Sequence, residues 1–341
     1  MSNQAQYVTA GVVAAGAAGA AGAAYFAYRA YRETNNTKLP RPEDWRHVGT
    51  LKELYAYPIK SCASVKLERG ECTSLGLKNG WLRDRVLMVV DEKNNFLTAR
   101  ACPEMVLVRP TVRNSILTLN HPDAAEPLHI NLAEVIALQK PQTARVWGVE
   151  VPVFDCGSEA SKWLTSVLDH SAKIYKLVYY SSQTSREMRG LGTELYKRFR
   201  KEDASALSDE VPFNLINQAS LDDLNGRLQD LTVSPCNFRP NFVLSGTAKP
   251  YEEDNWRFIK IGENVFEILK PCTRCLLTTV DPETGVRNAK TEPLETLRSY
   301  RLIEDPVLRK AVGNSPRMGL QMALRSESGH QVALGDPIYI A

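Results

Sequence analysis

Apolar residues in this chain fall mostly in short, alternating runs, and only a few repeat at helical spacing, so the pattern predicts a fold built mainly of strands. Residues 48–56 alternate polar and apolar side chains, as a half-buried strand does. Residues 85–90 and 96–99 flank the turn-rich Asp91-Glu92-Lys93-Asn94-Asn95 and predict a hairpin. Residues 106–112 and 115–119 predict a second, across Arg113-Asn114. Further strands are expected at 212–216, 241–244, 258–261, 265–268, 276–280, 332–334 and 337–340. Two helices stand out. Ala160, Trp163, Leu164, Val167 and Leu168 lie on one face behind a candidate cap at Ser158, and Leu221, Leu224 and Leu228 follow an opening at Ser220. Residues 181–209 are polar and predict long loops or a short helix. The fold class is therefore α+β and β-rich, arranged as two barrels or curled sheets.

A length of 341 residues is comfortable for about two domains. The balance of 42 basic against 39 acidic residues gives +3, and no basic stripe appears, which argues against a nucleic-acid binder. The densest basic stretch, 197–201, runs straight into Glu202 and Asp203 and reads as a solvated face. Seven cysteines, at 62, 72, 102, 156, 236, 272 and 275, have no framework spacing, and most read as small buried apolar residues in a reducing compartment.

From Met1 to Tyr28 there is no charged side chain, and the 22 residues from Tyr7 to Tyr28 are closed by Arg29 and Arg32. That length spans a bilayer as a helix, although Ala and Gly make it weakly apolar. The aromatic and basic flank predicts a cytosolic location for the rest of the chain, and Gly11, Ala15 and Gly19 would permit close helix packing. The charge-free start disfavours a secretory signal, and arginines confined to the end disfavour a cleaved presequence. An Ala/Gly-rich flexible leader is the plainer alternative. Residues 35–45, with Asn-Asn and two prolines, read as a linker.

The sharpest local motif is Lys270-Pro271-Cys272-Thr273-Arg274-Cys275, running into the expected strand at 276–280. A zinc half-site would need a second ligand pair, and none has suitable spacing. A thioredoxin-like pair should open a helix. A single-thiolate metal site needs cationic neighbours, which Lys270 and Arg274 supply in sequence. Two inert core cysteines fit equally well, and the motif alone does not choose.

Other motifs carry a resemblance. Tyr57-Pro58-Ile59-Lys60-Ser61-Cys62, Leu82-Arg83-Asp84-Arg85 and Thr98-Ala99-Arg100 resemble the MOSC N-terminal β-barrel domain. Cys236-Asn237-Phe238-Arg239-Pro240-Asn241 and Pro271-Cys272-Thr273-Arg274-Cys275, followed by Thr278-Thr279-Val280-Asp281-Pro282, resemble the two signatures of the MOSC domain. Together with the N-terminal segment they resemble the mitochondrial amidoxime-reducing component family, from about residue 47 onward.

That resemblance implies an anchor helix at 1–32, a linker at 33–46, an N-terminal β-barrel domain at 47–180 and a MOSC domain at 181–341 with the cofactor site. It implies a pterin-based molybdenum cofactor with Cys275 as the metal's ligand and Cys272 as a bystander. Lys60, Ser61 and Arg85 would hold the cofactor's phosphate, Arg239 and Asn241 its pterin or phosphate, and Thr273 and Arg274 would lie beside the thiolate. Asp209 matches an acidic position where it could bind substrate or pass a proton. Glu210 and Val211 depart from the small hydroxylated residues expected there, and Gln321 stands where relatives can carry Tyr, so neither contact is carried over.

The implied activity is reduction of N-hydroxylated compounds: amidoximes, N-hydroxyguanidines and hydroxamic acids. With no dinucleotide fingerprint or haem-attachment motif in the chain, electrons would come from cytochrome b5 and its NADH-dependent reductase. The implied location is the mitochondrial outer membrane, catalytic part facing the cytosol. Two rivals remain: a cofactor-binding sulfur-transfer module, although no pyridoxal-binding lysine region precedes the MOSC-like part, and a dithiol oxidoreductase using Cys272 and Cys275.

Overall fold

In the computed structural model, which describes residues 38–138, 141–168, 173–187, 196 and 198–341, the chain divides into two units, residues 1–45 and 46–341. The described part of the first carries a single 3-10 turn, Pro42–Asp44. The expected anchor helix lies outside the described residues. Among those described, no helix is long and apolar enough to cross a membrane.

Strands dominate the second unit. A seven-strand barrel closes in the order Phe242–Ser245, Phe213–Asn217, Arg317–Leu324, Asn264–Thr273, Phe258–Ile261, Pro337–Ile340, Arg46–Ala56, and back to Phe242–Ser245. All pairs are antiparallel except Phe213–Asn217 with Phe242–Ser245. Closure removes the unpaired sheet edges that would otherwise invite aggregation. The interior is fastened by three aromatic rings, Phe213, Phe242 and Phe266, with centroids 5.1–5.6 Å apart. The first strand, early in the chain, thus completes a barrel otherwise made by residues 213–340. Its alternation is visible in sequence; its partners are not.

A second core lies under an open sheet ordered Gln142–Val146, Val149–Asp155, Lys176–Tyr180, Leu87–Val90. The helix Ser158–Leu168 buries Ala160, Leu164, Val167 and Leu168 against it, the face that the spacing predicts.

Several expectations are corrected. Residues 96–99 make only an isolated bridge, Val90 to Phe96, because the backbone there turns to the strand Gln142–Val146, with Arg145 N donating to Asn94 O and Phe96 N to Arg145 O. The full partner of Leu87–Val90 is Lys176–Tyr180. The hairpin expected across Arg113-Asn114 forms as Arg109–Arg113 and Ile116–Asn120. The second helix, Gln218–Arg227, is capped by Asn217, which accepts from the Ala219 amide, and Ser220 Oγ donates to Glu253 instead. Residues 276–280 do not form a strand. The hydroxyls of Thr278 and Thr279 donate to the carbonyls of Cys275 and Leu276 (2.9 and 2.8 Å), folding Leu276–Thr279 into a 3-10 turn. The two cysteines therefore stand where a strand ends, with Cys275 at the entry to the turn.

Candidate active site

The motif from Tyr57 to Cys62 leaves the first strand and runs beside residues 85–87, tied by Arg85 N to Tyr57 O (2.7 Å), Leu87 N to Pro58 O and Lys60 N to Leu87 O. Ser61 and Arg85 take left-handed backbone (φ 69° and 47°), as does Arg239 (φ 54°) at the end of the helical turn Pro235–Phe238. Bulky or β-substituted residues avoid that region, and its use three times around one cavity marks a place where the fold holds side chains against local preference.

The cavity is about 530 Å³ and is lined by barrel residues together with residues between Lys60 and Trp147. Its lining includes six cationic side chains, Lys60, Arg85, Arg100, Arg186, Arg239 and Arg274, against two carboxylates, Asp209 and Glu210. Such an excess fits a strongly anionic occupant. All the residues expected at the site line it: Lys60, Ser61, Arg85, Asp209, Arg239, Asn241, Thr273, Arg274 and Cys275.

They do different things there. Buried Asp84 accepts from the Tyr57 amide (2.8 Å), Asn241 Nδ2 (3.1 Å) and Arg85 Nη1 (2.6 Å), so one carboxylate joins three segments. Asn241 is fully buried, with Nδ2 also directed to Tyr55 O and Oδ1 accepting from the Asn214 amide. Its donors are thus occupied, and it positions its neighbours rather than offering a contact to a pterin. Arg274 is likewise committed, through Nε to Met318 O (2.7 Å) and Nη1 to Phe238 O (2.8 Å).

Arg239 differs. Nη1 donates to Cys62 O (2.6 Å), and its guanidinium lies 4.2 Å from the centre of the Tyr57 ring, with Arg85 at 4.6 Å from the same ring. Among the described residues its Nη2 is buried with no partner, as are Arg186 Nε and Ser208 Oγ. Buried donors normally find acceptors, and here three lie along the cavity that the cofactor's phosphate would enter. The residues fit the group.

Lys60 is buried and donates to Leu207 O (2.9 Å) and to Asp209. Burial pulls its ammonium below its ordinary value, with Asp209 opposing. Burial acts to raise the Asp209 carboxyl, but the charge and hydrogen bond of Lys60 outweigh it and hold the group well below the usual carboxylate range. Although 52% of its side-chain surface stays open, Asp209 is thus an ionised acceptor. Trp147 Nε1 donates to it (3.0 Å), and Arg186 grips the backbone of Ser208 and Asp209 at 2.8 Å.

Cys275 is half-buried, and its sulfur is approached by Arg100 Nη1 at 3.8 Å. The cation at this sulfur is therefore Arg100, distant in sequence. The nearby Lys270 pairs with Glu210, and Arg274 is bound to carbonyls. Burial pushes the Cys272 thiol up, which disfavours it as a nucleophile or ligand. Gln321 lines the cavity with Oε1 buried and, among the described residues, unpartnered.

Arg100, Trp147, Arg186 and Asp84 are absent from the sequence-derived site. Arg100 closes a family-like motif, and Trp147-Gly148 joins Gln142–Val146 to Val149–Asp155, a hairpin legible in the alternating Val149, Val151 and Val153. Nothing in the sequence marks Arg186.

The closed barrel and the cationic, cysteine-floored cavity define a MOSC protein. The MOSC N-terminal beta barrel domain matches residues 48–171 and the MOSC domain residues 202–339. Mitochondrial amidoxime-reducing component 1 of Mus musculus is 40% identical over 300 residues, covering 86% of this chain and 83% of that one. The Homo sapiens protein of the same name is 40% identical over 296 residues (86% and 84%), and component 2 of Rattus norvegicus is 39% identical over 302 (88% and 85%). The crystal structure of the YUAD protein from Bacillus subtilis overlays with a TM-score of 0.34 at 10% identity, over 87% of this chain and 97% of that one, too loosely to bear on the site. The chain belongs to the mitochondrial amidoxime-reducing component family, and so to the molybdenum-dependent reductases.

Proposed function

We propose that this enzyme reduces N-hydroxylated compounds, namely amidoximes, N-hydroxyguanidines and hydroxamic acids, to the parent amidines and amines. Electrons come from cytochrome b5 and its NADH-dependent reductase. The mitochondrial names of the relatives and the charge-free segment 7–28 support attachment at the mitochondrial outer membrane with the catalytic part in the cytosol. The observation that carries the reading is the half-buried sulfur of Cys275 in a cavity whose buried cationic donors lack partners among the described residues.

The molybdenum cofactor, when bound, supplies a two-electron centre able to take oxygen from nitrogen. Cys275 would be its protein ligand, since thiolate is a soft donor. Lys60, Ser61, Arg85 and Arg239 would hold its phosphate and pterin, with Thr273 flanking the thiolate. Arg274 and Asn241 keep the two signature loops and the Tyr57–Cys62 motif in register through bonds to Phe238, Met318, Tyr55 and Asp84.

Asp209 faces the cavity as a carboxylate and is suited to accept N–H groups of an amidine. Among the described residues, Lys60 and Trp147 both donate to its Oδ1, which leaves Oδ2 for a substrate. Lys60 holds a proton at Nζ against that carboxylate and could give it toward the oxygen that leaves as water, the lysine then being reprotonated from solvent.

The test is metal analysis of the purified full chain, with benzamidoxime turnover supplied by cytochrome b5 and its reductase. Molybdenum near one per chain and turnover lost in Cys275→Ser are expected. Metal-free protein, or loaded protein inert toward every N-hydroxylated compound, would sink the reading. An active Cys272→Ala variant removes the dithiol alternative.

A further inference from the structure

We propose that Arg100 is a positioning residue for the metal centre: held on the face of Trp147, its guanidinium sits against the Cys275 sulfur and raises the reduction potential of the metal that sulfur binds. This rests on Cys275 being the molybdenum ligand.

Three contacts aim Arg100 at the sulfur. Its carbonyl accepts from Arg287 Nη2 (2.7 Å), fixing its backbone to the segment beyond the cysteine pair. Its guanidinium carbon lies 4.7 Å from the centre of the Trp147 ring. Its Nη1 is 3.8 Å from Cys275 Sγ. Among the described residues no salt bridge joins it to a carboxylate; Asp209 feels its charge, but the direct contact of Nη1 is with the sulfur.

Trp147 is itself unusual. It is 43% exposed and takes φ 50° in a two-residue turn with Gly148 at φ 75°, a conformation for which Asn-Gly is the favoured pair. Burial does not account for a bulky ring held there. Its ring meets Phe96 at 4.9 Å and Arg100 on the sulfur side, while its N–H holds Asp209. One side chain from the N-terminal region thereby sets both the cation at the ligand and the carboxylate beside it.

Donors and positive charge beside a ligating sulfur draw electron density from it and favour the more reduced metal, as second-shell contacts do at thiolate-bound centres. An arginine that merely gripped the anionic cofactor would alter loading and leave the potential of the loaded centre unchanged. The two roles separate experimentally.

The experiment is a redox titration of the holoenzyme, followed by the paramagnetic resonance signal of molybdenum, with metal content measured on the same samples. Arg100→Ala is expected to lower the one-electron equilibrium constant for reduction about tenfold, a midpoint some 59 mV lower, with kcat reduced and KM little changed. Arg100→Lys should recover part of the shift. Trp147→Ala should move the midpoint in the same direction by less, and Trp147→Phe, which keeps an aromatic face, should stay near wild type. A fully loaded Arg100→Ala enzyme with an unchanged midpoint overturns the inference. If that variant takes up no metal, Trp147→Ala decides, and an unchanged midpoint there overturns it equally. Loss of the ligand reading itself looks different: a Cys275→Ser variant that keeps the wild-type signal removes the ligand assignment and this inference with it.

Discussion

On the barrel side of the cavity, Arg274 directs its strongest hydrogen bonds to the carbonyls of Met318 and Phe238, and Asn241 is bonded on both amide atoms. In the same cavity wall, among the described residues, Arg239 and Arg186 each keep a buried nitrogen without a partner, and Ser61, Arg85 and Arg239 hold left-handed backbone. The first arrangement is internally satisfied and gains nothing from a ligand. The second leaves its donors incomplete until an anion arrives, so it gives up some stability in the empty protein for binding in the loaded one. Residue type does not distinguish the two, since both contain arginine at the cavity wall. The partners do.

The largest effect is expected at Cys275. Replacement by Ser is expected to cut turnover at least about a thousandfold by removing the metal's ligand, while the melting temperature of the metal-free protein stays within a few degrees of wild type. A metal-free variant that unfolds would place the sulfur among the structural elements. The paired variants Arg239→Ala and Arg274→Ala come next. Arg274→Ala should lose about 3 kcal/mol of folding stability in urea, because buried carbonyls are left unpaired. Arg239→Ala should lose less, since it leaves one carbonyl, Cys62 O, without its donor rather than two, and should lose cofactor, read as molybdenum per chain. Equal losses in both assays for both variants would erase the distinction.

Gly319 sharpens the barrel side. It sits at φ 78°, and a Cβ there would lie 2.4 Å from Leu215 O and 3.2 Å from Arg274 Nη2. Gly319→Ala should therefore cost more than about 1 kcal/mol, seen as a lower melting temperature with the bound metal's signal shape unchanged. The smallest effect concerns Asp209. Its folded carboxyl titrates below the ordinary value of about 3.9, so the stability it adds is present above that pH and is lost as pH falls toward the folded value. Solvent on its open side should keep this under about 1 kcal/mol. Melting curves of wild type and Asp209→Asn should differ near pH 6, and the gap should narrow as the pH falls below about 4. A gap that widens in acid would reverse the sign.

Much of the fold was legible where one face of an element meets one core. The helix at Ser158–Leu168 buries the stripe its spacing predicts, and residues 258–261 and 337–340 form strands. Misreadings fell where a side chain or a distant strand competes for the backbone. Thr278 and Thr279 look like strand residues, yet their hydroxyls close a turn, and Asn94 and Phe96 bond to Arg145 where the pattern reads as a full hairpin. At the site, the motifs located the lining residues but not their duties, because a hydrogen-bond partner from a distant segment carries no local signal.

By itself the sequence determined that the chain would be β-rich, since alternation is a property of neighbours along the strand, and that Cys275 and its surrounding motifs were the place to look for chemistry. It took the folded chain to bring Arg100, and not Lys270 or Arg274, onto the sulfur, to make Asn241 and Arg274 fastenings, and to join three segments at Asp84. The reason is geometric. Electrostatic and hydrogen-bond energies depend on distances of a few ångströms, and in this molecule those distances arise where the N-terminal segments meet a barrel formed largely by the other end of the chain.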